Sequence, residues 1–213
     1  MMNRLKTTIL VIVALVMAVV VYYAIDNSTS SPSSYKGDRL SSEEVALLHD
    51  GDIILRKGFG FVSNKITEIL NEPYRLSHCG IVVADTNESY VIHSVSSTLS
   101  DYDGLQSCSL KKFAAESKAN SIVVVRFVDT AFASSNTIVA DAKKYLRERV
   151  PFDNKFDLTD NDKMYCTELV WKILLDNYGI DIYPDKSSHL YLGFAPFMDT
   201  TRFKVIINHY TGL

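Results

Sequence analysis

The 213-residue chain has no GxGxxG run and no phosphate-loop pattern. That argues against a nucleotide cofactor, and no cofactor is expected. It has no basic cluster either. Its 22 Lys and Arg stand against 25 Asp and Glu, for a formal charge of −3, which speaks against nucleic acid as a partner. Cysteine is scarce: Cys79, Cys108 and Cys166, with no pair at zinc-ligand spacing, so no metal site is expected. In an exported protein an odd count leaves at least one thiol free. No internal repeat is visible.

One stretch, Ile9 to Ile25, has no charge, no Gly and no Pro over 17 residues, and follows Arg4 and Lys6. A basic start before an apolar run reads as a signal peptide or signal anchor over residues 1–25. The run lies at the lower limit for a membrane span. A small-x-small cleavage site is poorly represented, and no Cys follows to carry a lipid. An uncleaved anchor with Arg4 and Lys6 in the cytoplasm is preferred, ahead of a cleaved signal or a buried core helix. Either export reading places the chain in the periplasm or on the extracytoplasmic face of the membrane. Residues 26–36, Ser-rich with one Pro, read as a flexible tether. Residues 37–213 have the composition and length of a single core.

Within that domain, Ser41 and Glu44 form a capping box before a short helix. Ile53-Ile54-Leu55 reads as a buried strand, and residues 64–70 as a helix ended by Asn71-Glu72-Pro73. His78 to Ala84 and Tyr90 to Val95 read as a hairpin around a polar turn at 85–88. Ser109 caps a helix over 110–116. Residues 121–128 form the strongest strand, residues 137–149 a helix, and residues 203–207 a last strand. Grouped rather than alternating elements predict α+β with a largely antiparallel sheet.

Cys166 opens the helical pattern Cys166-Thr167-Glu168-Leu169-Val170-Trp171-Lys172-Ile173-Leu174. Leu169, Val170, Ile173 and Leu174 share one face. At a helix start, unpaired N–H groups and the positive dipole end favour thiolate over thiol. Taken alone, such a cysteine is more often a small buried apolar residue. The hairpin supplies what a nucleophile needs, a base and a group to orient it. The polar turn sets position 78 opposite about 94 or 95, so His78 and His93 come into diagonal reach if they share a face. The competing readings are a solvated strand-end His78 and a satisfied core His93. Cys79, next to His78 on a strand, should face away from it and pack in the core.

Three motifs, Gly51-Asp52-Ile53-Ile54, Ser77-His78-Cys79-Gly80-Ile81-Val82 and Tyr165-Cys166-Thr167-Glu168-Leu169-Val170, resemble the permuted papain-like amidases of the YaeF/YiiX type, within the NlpC-like superfamily. The resemblance implies a circularly permuted papain-like fold, a mostly antiparallel sheet packed on helices, here preceded by the N-terminal apolar segment. It places the nucleophile on Cys166, the base on His78 and the third residue on His93, where the family often has Glu. A His-His-Cys set also resembles the lecithin:retinol acyltransferase relatives. The family's aromatic-Asp-x-x-Phe segment falls on Pro151 to Phe156, so Asp153 and Asp157 either contact a cationic substrate group or sit in a solvated loop. Tyr165 either offers its hydroxyl to substrate or packs. Asp52 either lines the site or caps a turn.

The expected activity is an exported cysteine amidase or peptidase, forming an acyl-enzyme on a small cell-wall peptide or related amide. The alternatives are a lipid acyltransferase or thioesterase, and a membrane-tethered binding module without turnover.

Overall fold

The computed structural model describes residues 8, 11–21, 38–85, 87–128, 135–160, 162–185 and 191–210. Residues 11–21 are helical and exposed. Among the described residues no helix is long and apolar enough to cross a membrane. The two ends of the apolar run and the whole tether at 26–36 lie outside the described residues.

The domain opens with helix α1 (Ser42–Val45), where Ser41 Oγ accepts from the Glu44 N–H and Glu44 Oε2 accepts from the Ser41 N–H. Strand β1 (Ile53–Arg56) and helix α2 (Gly60–Leu70) follow, then β2 (His78–Val83), β3 (Tyr90–Val95) and β4 (Gly104–Ser109). Helix α3 (Leu110–Ala115), β5 (Ile122–Phe127), α4 (Ser135–Glu148), α5 (Cys166–Tyr178), a 3-10 turn (Ala195–Met198) and β6 (Phe203–Asn208) complete it. The six strands form one sheet in the order β4-β3-β2-β1-β5-β6, and every pairing is antiparallel. The predicted α+β class and antiparallel sheet are those observed.

Alternation of side chains along each strand divides the core into two. Ile53, Leu55, Cys79, Ile81, Val123 and Val125 face α4 and α5, where they meet Ile138, Ala142, Leu169 and Ile173. Ile54, Val82, Val91, Ile122 and Val124 face the other way, onto Leu40, Leu48 and the α3 residues Leu110 and Phe113. Because β1 and β5 are covered on both faces, they read as continuous apolar runs.

Strand β4 was not foreseen. Its sequence, Gly-Leu-Gln-Ser-Cys-Ser, has little strand propensity, and it forms because β3 offers a six-residue ladder from Tyr90↔Ser109 to Val95↔Gly104. Gly104 takes φ +88°, and a Cβ there would lie 2.2 Å from the Val150 carbonyl oxygen. Only glycine fits that start.

Candidate active site

The ladder between β2 and β3 pairs Val83 with Tyr90, Val82 with Val91 and Ile81 with Ile92, and no further pair follows. The lower end of β2, His78 to Gly80, is thus outside the pairing with β3. Continued in register, Gly80 would face His93, which puts His78 and His93 diagonally on one face. The two imidazoles meet there, His78 Nε2 to His93 Nδ1 at 2.8 Å. A Cβ on Gly80 would lie 2.4 Å from Val91 Cγ1 and 3.0 Å from His93 Cβ, so glycine makes room for the ring pair.

His93 carries the chain of contacts onward, with its Nε2 3.5 Å from Cys108 Sγ on β4. Phe113 from α3 is the floor beneath both rings. His78 stacks on it at 5.5 Å and 28°, and His93 meets it edge-on at 5.4 Å and 88°. The Arg56 guanidinium lies 4.5 Å above the centre of the same ring. Burial, then the charge of Arg56, holds both imidazoles below the ordinary histidine range, His93 at about 3. His93 is 4% exposed and His78 is half-buried.

Cys166 opens α5 from the other side of the sheet. Tyr165 N–H donates to Glu168 Oε2 at 3.3 Å, which closes the first turn. The residue before it is fixed by Ser94 Oγ, which donates to the Met164 carbonyl at 2.5 Å. The Cys79 thiol first, and then the backbone N–H groups of Cys79, Thr167 and Cys166, favour negative charge on the Cys166 thiol. Together these lower its pKa despite burial, while Cys79 is pushed well up. Cys79 is fully buried among Ile81 and Val83, on the face away from His78, as strand geometry requires. Its contact with Cys166 was not foreseen.

His78, His93, Cys108 and Cys166 all line one cleft of about 700 Å³. No hydrogen bond joins Cys166 to His78. Helix α2 forms an apolar wall through Val62, Ile66, Ile69 and Leu70, and the strand β3 side is lined by hydroxyls such as Ser94, Ser96 and Thr98. Ser77 Oγ ties α2 to the His78 strand, accepting from Gly58 N–H at 2.9 Å and meeting Ser63 Oγ at 2.5 Å. A third wall, near Leu192, is pinned to α5. Leu192 N–H donates to Tyr165 Oη at 3.1 Å, and Thr167 Oγ1 donates to the Leu192 carbonyl at 2.8 Å.

Residues 47–189 match the model for permuted papain-like amidases, YaeF/YiiX, C92 family. The chain belongs to that family. An "Uncharacterized protein YiiX" of Escherichia coli strain K12 is 27% identical over 133 residues, 62% of this chain. The chain spans about 60% of that relative's length. A crystal structure described as metalloprotein yiiX from Escherichia coli O157:H7 superposes with a TM-score of 0.58 at 19% identity. It covers 76% of this chain and 98% of its own, which establishes the permuted papain-like fold. Among the described residues here, no group of three or more His, Cys, Asp or Glu is placed to hold a metal ion.

Two residues that sequence motifs of this amidase family suggested for the cleft sit elsewhere. Asp52 is fully buried, with its carboxylate taken by Arg126 Nε at 2.7 Å and by the His49 N–H at 2.8 Å. Asp153 is fully buried as well, and its oxygens accept from the Lys155 and Asp157 N–H groups at 2.8 and 2.6 Å. It is neither solvated nor open to a cationic substrate. Both carboxylates are consumed by local backbone and a partner ion, which motif position alone does not reveal. Tyr165 does line the cleft, but its hydroxyl is engaged with Leu192. Arg56, Phe113 and Cys108 escaped the sequence reading. Arg56 had one visible signal, a charge ending an otherwise apolar strand, whereas Phe113 had none.

Proposed function

We propose that the protein is a cysteine amidase that forms an acyl-enzyme on Cys166, with His78 as base and His93 as its orienter. What carries this reading is a helix-start thiol, lowered by N–H and S–H donors, in one cleft with a hydrogen-bonded pair of neutral imidazoles. With His78 Nε2 bonded to His93 Nδ1, the nitrogen left to act as base is His78 Nδ1. The neutral tautomer then has its hydrogen on Nε2, donated to His93 Nδ1. His93 in turn has its hydrogen on Nε2, directed at Cys108 Sγ. Catalytic hydrogen bonds commonly tighten only around substrate, and a His78–Cys166 hydrogen bond is expected to form only in the substrate complex.

The step balances as follows. Cys166 Sγ forms a bond to the carbonyl carbon while His78 Nδ1 takes the thiol proton. The carbonyl oxygen becomes an oxyanion facing the Cys166 N–H at the start of α5. The C–N bond breaks, the imidazolium gives its proton to the leaving amine, and a thioester is left. Water, deprotonated by His78, hydrolyses the thioester and restores the thiol. The substrate we favour is a small cell-wall peptide or related amide met outside the cytoplasmic membrane, the apolar run Ile9 to Ile25 acting as export signal or anchor.

A second reading, transfer or hydrolysis of lipid-like acyl groups, is favoured by the α2 wall. Ile69, for instance, is 60% exposed there. Turnover of a muropeptide panel against an acyl-ester panel separates the two, with intact-mass detection of an acyl group on Cys166. No turnover of either panel, together with Cys166 alkylation no faster than a free thiol, overturns both.

A further inference from the structure

We propose that Arg56 is a positioning residue for this hydrolysis: a fixed cation, packed on the same ring as His78, that makes the base surrender its proton quickly. The inference rests on the amidase reading and adds a residue outside its Cys-His-His set. Arg56 ends β1 and is the ladder partner of His78 on β2. Its side chain is 9% exposed, borders the cleft and shares Phe113 with both imidazoles. It is held from the far side by α3. Its Nη1 donates to the Glu116 carbonyl, and its Nη2 lies 3.0 Å from Glu116 Oε2.

An arginine cannot lose its charge, so this cation is present at every pH the enzyme meets. A cation near an imidazole disfavours the imidazolium. An imidazolium made unfavourable is a stronger acid toward the leaving amine, and a base that clears its proton is ready for the water step. Burial lowers the pKa of Arg56, and Glu116, then Cys108 and Cys166, offset this, while the guanidinium in turn favours negative charge on Cys166. The charged and titratable groups that line the cleft with His78 include Arg56 from β1, His93 from β3, Asp101 before β4, Cys108 from β4, Lys112 from α3, Glu116 just past it, and Cys166 from α5. The carboxylates among them are Asp101 and Glu116, and Glu116 is committed to Arg56.

The test is a histidine titration by NMR on the full chain, with His78→Gln and His93→Gln used to assign signals, alongside the pH profile of kcat/KM on an amide substrate. In Arg56→Gln the His78 midpoint is expected to rise by about one pH unit, with the acid limb of the profile moving alongside. Arg56→Lys keeps most of the native midpoint. Glu116→Gln removes the neighbouring anion, so its midpoint lies at or below the native one. A midpoint unmoved in Arg56→Gln, or raised in Glu116→Gln, overturns the inference. Should Arg56→Gln fail to fold, the Arg56→Lys and Glu116→Gln titrations decide the matter. Because the titration needs no turnover, midpoints that shift as expected in a protein that hydrolyses nothing defeat the amidase reading and leave Arg56's effect on His78 standing. Turnover with unmoved midpoints does the reverse.

Discussion

Cys166 and Cys108 open into the same cleft, are both half-buried, and have opposite chemistry. Cys108 sits on an edge strand beside His93, and burial with the nearby Glu116 charge raises its pKa to about 11. Cys166 makes no hydrogen bond to an imidazole, yet its pKa is lowered by the Cys79 thiol and three backbone N–H groups. Nearness to histidine therefore does not mark the lowered thiol here. Donors that stabilise the thiolate do, first the Cys79 thiol and N–H of β2 and then the N–H groups at the start of α5. In the proposed mechanism the imidazole pair serves the first thiol as base, and the second thiol serves the imidazole pair as its last acceptor.

Exchange of the two thiols tests this division most severely. Cys166→Ala is expected to abolish amide turnover, whereas Cys108→Ala lowers it less than about tenfold, since His93 still holds His78. Equal losses in initial-rate assays would erase the distinction. Next in size, His78→Ala should cost about 10²–10⁴-fold, the usual worth of a general base. The reagent counterpart is iodoacetamide labelling followed by peptide mapping. Cys166 should react faster than Cys108 at pH 7, and Cys79→Ala should shift the Cys166 alkylation midpoint upward through loss of its S–H donor. A Cys79→Ala protein alkylated with the native profile would leave the backbone N–H groups of β2 and of the start of α5 as the source of activation.

A smaller effect concerns the hairpin that brings the rings together. Gly80→Ala places a Cβ 2.4 Å from Val91 Cγ1 and 2.9 Å from the Ile92 carbonyl. It should destabilise the fold by about 1–3 kcal/mol, as overpacking does, read as a drop in the urea midpoint. If the midpoint is unchanged, Val91 and His93 have yielded, and the ring pair is looser than its 2.8 Å contact indicates.

Much of this arrangement was legible in the sequence because it depends on local rules. The polar turn at 85–88 set the hairpin register, and the two-residue period put His78 and Cys79 on opposite faces. The three-and-four spacing after Cys166 marked α5. The motifs also gave the family. What was not legible depends on distant partners. Strand β4 takes its conformation from β3 against its own propensity. Asp52 and Asp153 look like site residues until Arg126 and the 153–157 loop are seen to occupy them. Arg56 and Phe113 come to the imidazoles from β1 and α3, and no spacing announces their meeting. Nor does any announce that the Cys166 thiol would reach the Cys79 N–H, which requires β2 and β3 to stop pairing at Ile81 and Ile92.

The finest contrast lies within the nucleophile helix, between its stabilised thiol and a carboxyl two residues on. Glu168 is fully buried, one of its oxygens has no hydrogen-bond partner, and burial raises its pKa to about 8. Lys172 offsets this in part, while Asp153 and Asp160 add to it. Its unfolded value is about 4.3, so between these two pH values the folded state holds the extra proton. Linkage then fixes the sign: its contribution to stability is fully present below about pH 4 and is lost as pH rises through about 8. Glu168→Gln keeps the shape and removes the charge. It should therefore match the native protein near pH 4 and exceed it at pH 9 by on the order of 1–3 kcal/mol, the cost of an unsatisfied buried polar group. Urea unfolding at the two pH values measures the gap. A gap independent of pH would mean that Glu168 is ionised in the fold throughout, and that the start of α5 tolerates a negative charge as readily as it draws one to Cys166.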